Sequence, residues 1–134
     1  MKDICLCKVM LTIYQVMIRF PFLVRLVGGD GPNQGNVFIG GEPVCDDNWQ
    51  QADGAVVCRQ LGFAGLSQIT KQSAFGPVPA EFAMDDVGCT GSEERLQDCK
   101  HVAHDNCGTG EGAGVICAGN SLLICHTVGP NWQY

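Results

Sequence analysis

The residues best equipped for chemistry in this chain are carboxylates set beside cysteines. Asp46 and Asp47 follow Cys45 directly, and Asp85 and Asp86 precede Cys89. Two neighbouring carboxylates repel each other and need either solvent or a cation between them. The plain alternative is that these acids are solvated turn residues, with Asp46 capping the helix that follows. Catalysis makes a different demand, a nucleophile with an oriented base. Ser73, Thr90 and Ser92 have no such motif around them, and the chain does not read as an enzyme.

The cysteines decide what could position those acids. Nine occur in 134 residues, and six of them fall between Cys45 and Cys117. An even set at this density reads as three bridges, but spacing alone leaves about 15 connectivities open. Zinc would require close pairs such as C-x-x-C, and the one close pair, Cys5 and Cys7, is tighter than that pattern. Disulfides place the chain in an oxidising compartment. A redox-active or metal-binding thiol protein is the weaker reading, and free-thiol titration separates the two.

Charge and composition narrow the partners. Residues 1–23 carry three basic residues and one acidic, whereas the rest carries thirteen acidic and five basic, for an overall charge of −6. So acidic a domain repels nucleic-acid phosphates. Eighteen glycines imply a loop-rich fold, and the length suits one domain. The first 23 residues stand apart. Val9 to Ile18 has the length of a signal-peptide core, yet Arg19-Phe20-Pro21-Phe22 is too bulky for a cleavage site. Lys8, Gln15 and Arg19 also make this stretch a poor membrane span. It reads either as a degenerate signal or anchor or as a non-native start. Residues 24–118 form the domain, and 119–134 form a tail or linker containing Cys125.

The elements between follow from periodicity. Val24 to Val27 alternates as a half-buried strand, and Gly28 to Asn33 is turn chemistry. Asn36 to Ile39 reads as a second strand ending at Gly40-Gly41. Gln50 to Leu61 is the best helix, with Val57, Cys58 and Leu61 on one face, Asp53 near its start and Gly62 as its terminator. Gly54 inside it counts against the helix by about 1 kcal/mol. Residues 63–80 read as a surface loop with a short strand near Gln68 to Thr70. Glu81 to Met84 is expected as a strand, and Ser92 to Cys99 as helical turns with Ser92 as N-cap. His101 to Glu111, with His104, is expected as loop, and Val115-Ile116 as a closing strand. Trp49 and Phe82 are expected in the core.

Five ordered motifs carry a resemblance. They are Val44-Cys45-Asp46-Asp47-Asn48-Trp49, Val56-Val57-Cys58-Arg59-Gln60-Leu61-Gly62, Met84-Asp85-Asp86-Val87-x-Cys89, Leu96-x-Asp98-Cys99, and Glu111-x-Ala113-Gly114-Val115-Ile116-Cys117. Together they are similar to the scavenger receptor cysteine-rich domain over residues 24–118. Phe63 stands where the eight-cysteine type has a cysteine, so the chain resembles the six-cysteine type. The fold this implies is α+β, a curved, mainly antiparallel sheet of about six strands cradling one α-helix. The implied bridges are Cys45–Cys107, Cys58–Cys117 and Cys89–Cys99.

The resemblance also implies a cation chemistry. One site would use Asp46, Asp47 and Glu111, and a second would share Asp47 and add Asp85 and Asn106. Such a set suits Ca²⁺, which takes six to eight oxygens. A bound cation would leave positions open to a sulfate, phosphate or carboxylate, with Arg59, Lys71 and Arg95 as candidate direct contacts. The implied function is extracellular recognition, secreted or at the cell surface, of polyanions, microbial surfaces or host proteins. A membrane would enter only through an N-terminal anchor or a missing parent region. The competing reading is a structural or interaction module of a larger secreted or membrane protein, with no ligand of its own.

Overall fold

The computed structural model describes residues 23–103 and 106–119. Most of the N-terminal segment, most of the tail, Cys5, Cys7, Cys125 and His104 lie outside the described residues. The chain opens with an antiparallel hairpin of β1 (Val24–Gly28) and β2 (Gln34–Ile39), in register from Val24 opposite Ile39 to Gly28 opposite Gly35. Gly40 and Gly41 turn the chain back into a two-residue β3 (Glu42–Pro43) on β2. After helix α1 (Gln51–Gln60), β4 (Gly65–Thr70) pairs with the last strand, β7 (Gly114–Ala118). β7 also pairs with β2, giving a five-stranded antiparallel sheet ordered β1-β2-β7-β4 with β3 beside β2. β5 (Asp85–Gly88) and β6 (Lys100–Val102) form a separate two-stranded antiparallel sheet.

Helix and sheet meet over an apolar core. Val37, Val44, Trp49, Val56, Val57, Leu96 and Val115 are fully buried. Trp49 is buried whole because its indole N–H donates to the Gly114 carbonyl at 3.0 Å, which meets its one polar need. Phe82 joins Phe38, Cys45 and Val78 in a second, smaller cluster. Three disulfides, Cys45–Cys107, Cys58–Cys117 and Cys89–Cys99, tie the first cluster's helix to β7 and close the loops around it. These are the pairs the resemblance implies. Among the described residues, no helix is long and apolar enough to cross a membrane.

Local chemistry sets the helix ends. The Asp53 carboxylate accepts the Gln50 N–H at 2.7 Å and the Cys89 N–H at 2.7 Å, so it caps α1 and also pins β5's exit to it. At the other end Gly62 has φ +86, and Phe63 N–H donates to Cys58 O while Gly62 N–H donates to Arg59 O. That is the Schellman pattern, and its left-handed residue is why glycine stands there. Gly54 has a different cause. A methyl group at this position would lie 2.6 Å from Ile69 Cγ2 and 3.0 Å from Leu66 Cδ1, because α1 packs directly on β4 here. Gly54→Ala therefore sets roughly 1–3 kcal/mol of overpacking against about 1 kcal/mol of helix propensity. A net loss of stability is expected in urea unfolding, although alanine is the better helix former.

Four local expectations change. Glu81 to Met84 is not a strand: Met84 forms a single parallel bridge with Val44, and one bridge does not extend into a ladder. Ser92 caps nothing, since its hydroxyl is taken by Thr90 Oγ1. The helical turn begins only at Leu96–Asp98, where Leu96 is buried and its N–H donates to Gln60 Oε1. His101 lies in β6 rather than in a loop, because Asp85 and Gly88 offer that segment a ladder. Finally, the strands divide between two sheets instead of one.

Candidate functional site

The Val44–Met84 bridge lays two segments side by side and carries their acidic pairs to the same end. Asp46 and Asp47 extend from one segment, and Asp85 and Asp86 from the other. Glu111 joins them because Asp46 N–H donates to Glu111 O at 2.9 Å and Cys45 bridges to Gly112. The Cys45–Cys107 disulfide holds the loop carrying Asn106 against the same place. The result is an open cleft of about 640 Å³ lined by Asp46, Asp47, Asn48, Lys71, Gln72, Gly110 and Glu111.

Asp47 is the shared corner. Its carboxylate comes within 4.8 Å of an oxygen of Glu111 on one side and, on the other, forms a trio with Asp85 and Asp86 whose oxygens all lie within 4.8 Å of one another. Oxygens that close can sit on opposite sides of one Ca²⁺, whose bonds run about 2.3–2.6 Å. The donors are hard oxygens; the sulfurs of Cys45 and Cys107 nearby are bonded to each other and offer no thiolate.

The other expected ligands stand slightly differently. Asp46 is buried, and one of its oxygens accepts the Gln72 N–H at 2.7 Å. It does not cap the helix, a task that falls to Asp53. Asn106 donates its backbone N–H to Asp85, which places it beside the trio. Asp86 enters the trio although the resemblance does not name it. The Asn48 side-chain amide donates to Asp86 Oδ1 at 2.8 Å and fixes that carboxylate. Asn48 is the residue that sequence reasoning missed, and its only signal was its place right after the acidic pair. Of the four non-glycine residues of positive φ among the described residues, Asn48 and Gln72 line this cleft, Ser73 follows Gln72 in the chain, and Asp86 is tied to it by the hydrogen bond from Asn48. Local strain of this kind gathers at sites held for function.

Of the three basic candidates, the structure brings only Lys71 to the cleft. Arg59 donates to the Glu93 carbonyl. Arg95 forms an exposed ion pair with Asp98 at 2.9 Å, worth little on its own. Both belong to the region around the Cys89–Cys99 loop.

The electrostatics report a crowd of like charges. Burial, followed by repulsion from Glu111, Asp46 and Asp86, raises the Asp47 carboxyl above its ordinary 3.8, and a hydrogen bond with Asp85 works in the other direction. Burial also raises Asp85 and Asp53, and Asp86 and Asp47 push Asp85 further. A carboxyl raised in the folded chain stabilises it below the unfolded value and loses that contribution as pH rises through the folded one. With cations chelated, the stability contributed by these groups should therefore fall as pH climbs from 3.8. Urea midpoints measured across pH should show that fall, and Asp47→Asn should flatten it. Glu93 acts in a lower window and with opposite sign. The N–H groups of Thr90 and Gly91 hold it down to about 2, so its contribution is lost as pH falls below 4.5.

Comparisons with known proteins give one consistent answer. The family model of the scavenger receptor cysteine-rich (SRCR) domain matches residues 27–118. A scavenger receptor cysteine-rich domain superfamily protein of Patiria pectinifera is 46% identical over 100 residues, covering 70% of this chain and 9% of that much longer protein. The crystal structure of the third SRCR domain of murine neurotrypsin is 40% identical, with a TM-score of 0.64 over 72% of this chain and 95% of that one. The dimeric form of the SRCR domain of mouse MARCO is 33% identical, with a TM-score of 0.56 over 71% of this chain and 94% of that one.

Proposed function

This chain belongs to the scavenger receptor cysteine-rich domain family, and on that premise we propose that it is an extracellular recognition module whose ligand site is organised by Ca²⁺. The observation that carries this reading is the position of Asp47, within 4.8 Å of Glu111 on one side and of Asp85 and Asp86 on the other. One cation between Asp46, Asp47 and Glu111, and another between Asp47, Asp85 and Asn106, would relieve the repulsion that raises Asp47 and Asp85. Ca²⁺ bound in an open cleft keeps coordination positions for outside oxygens. Those positions suit the sulfate, phosphate or carboxylate of a polyanion, a microbial surface or a protein, with Lys71 as direct contact. Arg59 and Arg95 serve as a separate contact near the Cys89–Cys99 loop. Three disulfides fit an oxidising, extracellular setting, secreted or at the cell surface.

The test is thermal unfolding with calcium against EDTA. Extracellular calcium modules bind with Kd near 10⁻⁴–10⁻³ M. At about 100 times Kd a single site adds roughly 2.7 kcal/mol, which raises Tm by about 10–20 °C in a domain of this size. A second reading rests on the 9% share of the Patiria pectinifera relative that this chain matches. It makes the domain a structural or interaction module of a larger secreted or membrane protein, with no ligand of its own. An unchanged Tm at about 100 times that Kd, roughly 10–100 mM calcium, favours that reading and removes the first.

A further inference from the structure

At the opposite end of the bridged pair, where the two segments begin, lies a second cleft of about 650 Å³. Its walls are the β2–β3 turn from Ile39 to Glu42, the stretch with Glu81, Ala83 and Met84, and Gln97 and His101. The floor is apolar, with Ile39 and Met84 buried and Ala83 half-buried. The rim is charged, with Glu42 and Glu81 both exposed. Neither carboxylate makes a hydrogen bond or ion pair with any described residue. His101 also stands on the rim, its Nδ1 2.9 Å from the Cys99 carbonyl, which can only accept, so Nδ1 carries a hydrogen turned to its own chain. Arg25 stands at the outer edge, with its guanidinium committed to the Gly40 carbonyl at 2.9 Å. Among the described lining residues the rim therefore offers two unpaired carboxylates and no Lys or Arg side chain.

An apolar floor under acceptors of negative charge matches one kind of guest. We propose that this cleft receives an arginine or lysine side chain from a protein partner, its methylene stem on Ile39, Ala83 and Met84 and its cationic head between Glu42 and Glu81. Long basic side chains bury their stems while the charged head stays at the surface. A guanidinium also brings five donors to carboxylate oxygens. The acidity of the chain beyond residue 23 favours approach of a basic partner. This surface is separate from the cation cleft and stands whether or not that cleft holds calcium.

The test titrates the full chain with a capped, fluorescent Leu-Arg-Leu peptide and with its neutral citrulline twin, followed by anisotropy. The arginine peptide is expected to bind at least about tenfold more tightly than citrulline, and to shift the Met84 methyl resonance. Glu42→Gln with Glu81→Gln, both at exposed positions, should cost at least about tenfold in affinity without lowering Tm, and excess calcium should not displace the peptide. The proposal is overturned if the peptide fails to bind, if citrulline binds equally, or if the double variant binds as well as the parent. Displacement by calcium would overturn it too, by placing the peptide in the acidic cleft. So would binding seen only after residues 1–22 are removed, which would make this chain's own N-terminal segment the occupant.

Discussion

Replacing Asp47 with alanine is expected to erase the calcium-dependent rise in Tm altogether, where loss of Glu111 or Asp85 removes only part of it. Among the described residues Asp47 is the one carboxylate with oxygens close to both Glu111 and the Asp85–Asp86 pair, so its removal would strip a ligand from both proposed cation positions together. The stabilisation at stake is roughly 2.7 kcal/mol per site at about 100 times Kd. The same substitution should leave the domain as stable as its parent in EDTA, or more so. Asp47 is the carboxyl raised by burial and by Glu111, Asp46 and Asp86, and deleting it relieves that repulsion. A calcium response lost while EDTA stability is kept or improved distinguishes a ligand from a residue that merely supports the fold. Equal Tm shifts in variant and parent would remove Asp47 from any cation site.

Why Asp47 could be singled out from sequence, and Asn48 or Gly54 could not, is a matter of range. The acidic pairs and the cysteines sit in short motifs whose order and spacing carry their meaning, so the resemblance reached them directly. The α1 boundaries were legible for a local reason as well, since Gly62 is needed for its positive φ and Asp53 for its carboxylate near the first turn. Contacts made across the fold were not legible. Gly54 looks like a defect in a helix until β4 is seen 2.6 Å from where its methyl group would be. Asp46 looks like a helix cap until Gln72, 26 residues later, donates its N–H to it. Asn48 acquires a role only when Asp86 arrives beside it from 38 residues away. The second sheet was missed for a related reason: β6 is short and exposed, with no apolar alternation to announce it. Of the three basic candidates for direct contact, only topology could separate Lys71 from Arg59 and Arg95.

The second large effect concerns the bridge that assembles the site. Replacing Cys45 and Cys107 together with alanine removes a crosslink between residues 62 apart in sequence. The chain-entropy estimate for a loop of that size is about 4 kcal/mol, a large fraction of the roughly 5–15 kcal/mol that holds a typical domain folded. Cys45 is fully buried in the cluster with Phe38, Val78 and Phe82, so the variant also loses packing there. The consequence for the proposed cation cleft is separate and sharper. Asp46 and Asp47 follow one half-cystine and Asn106 precedes the other, so the bridge is what keeps the Asn106 loop against Asp85. Calcium should therefore bind the double variant more weakly than it binds a Cys89→Ala/Cys99→Ala variant. That second pair encloses a loop with a sequence separation of 10 and holds none of the expected ligands. Calcium titrations at a temperature where both variants remain folded separate the two cases, and equal calcium affinity in both would show that the Cys45–Cys107 bridge stabilises the domain without shaping the cleft.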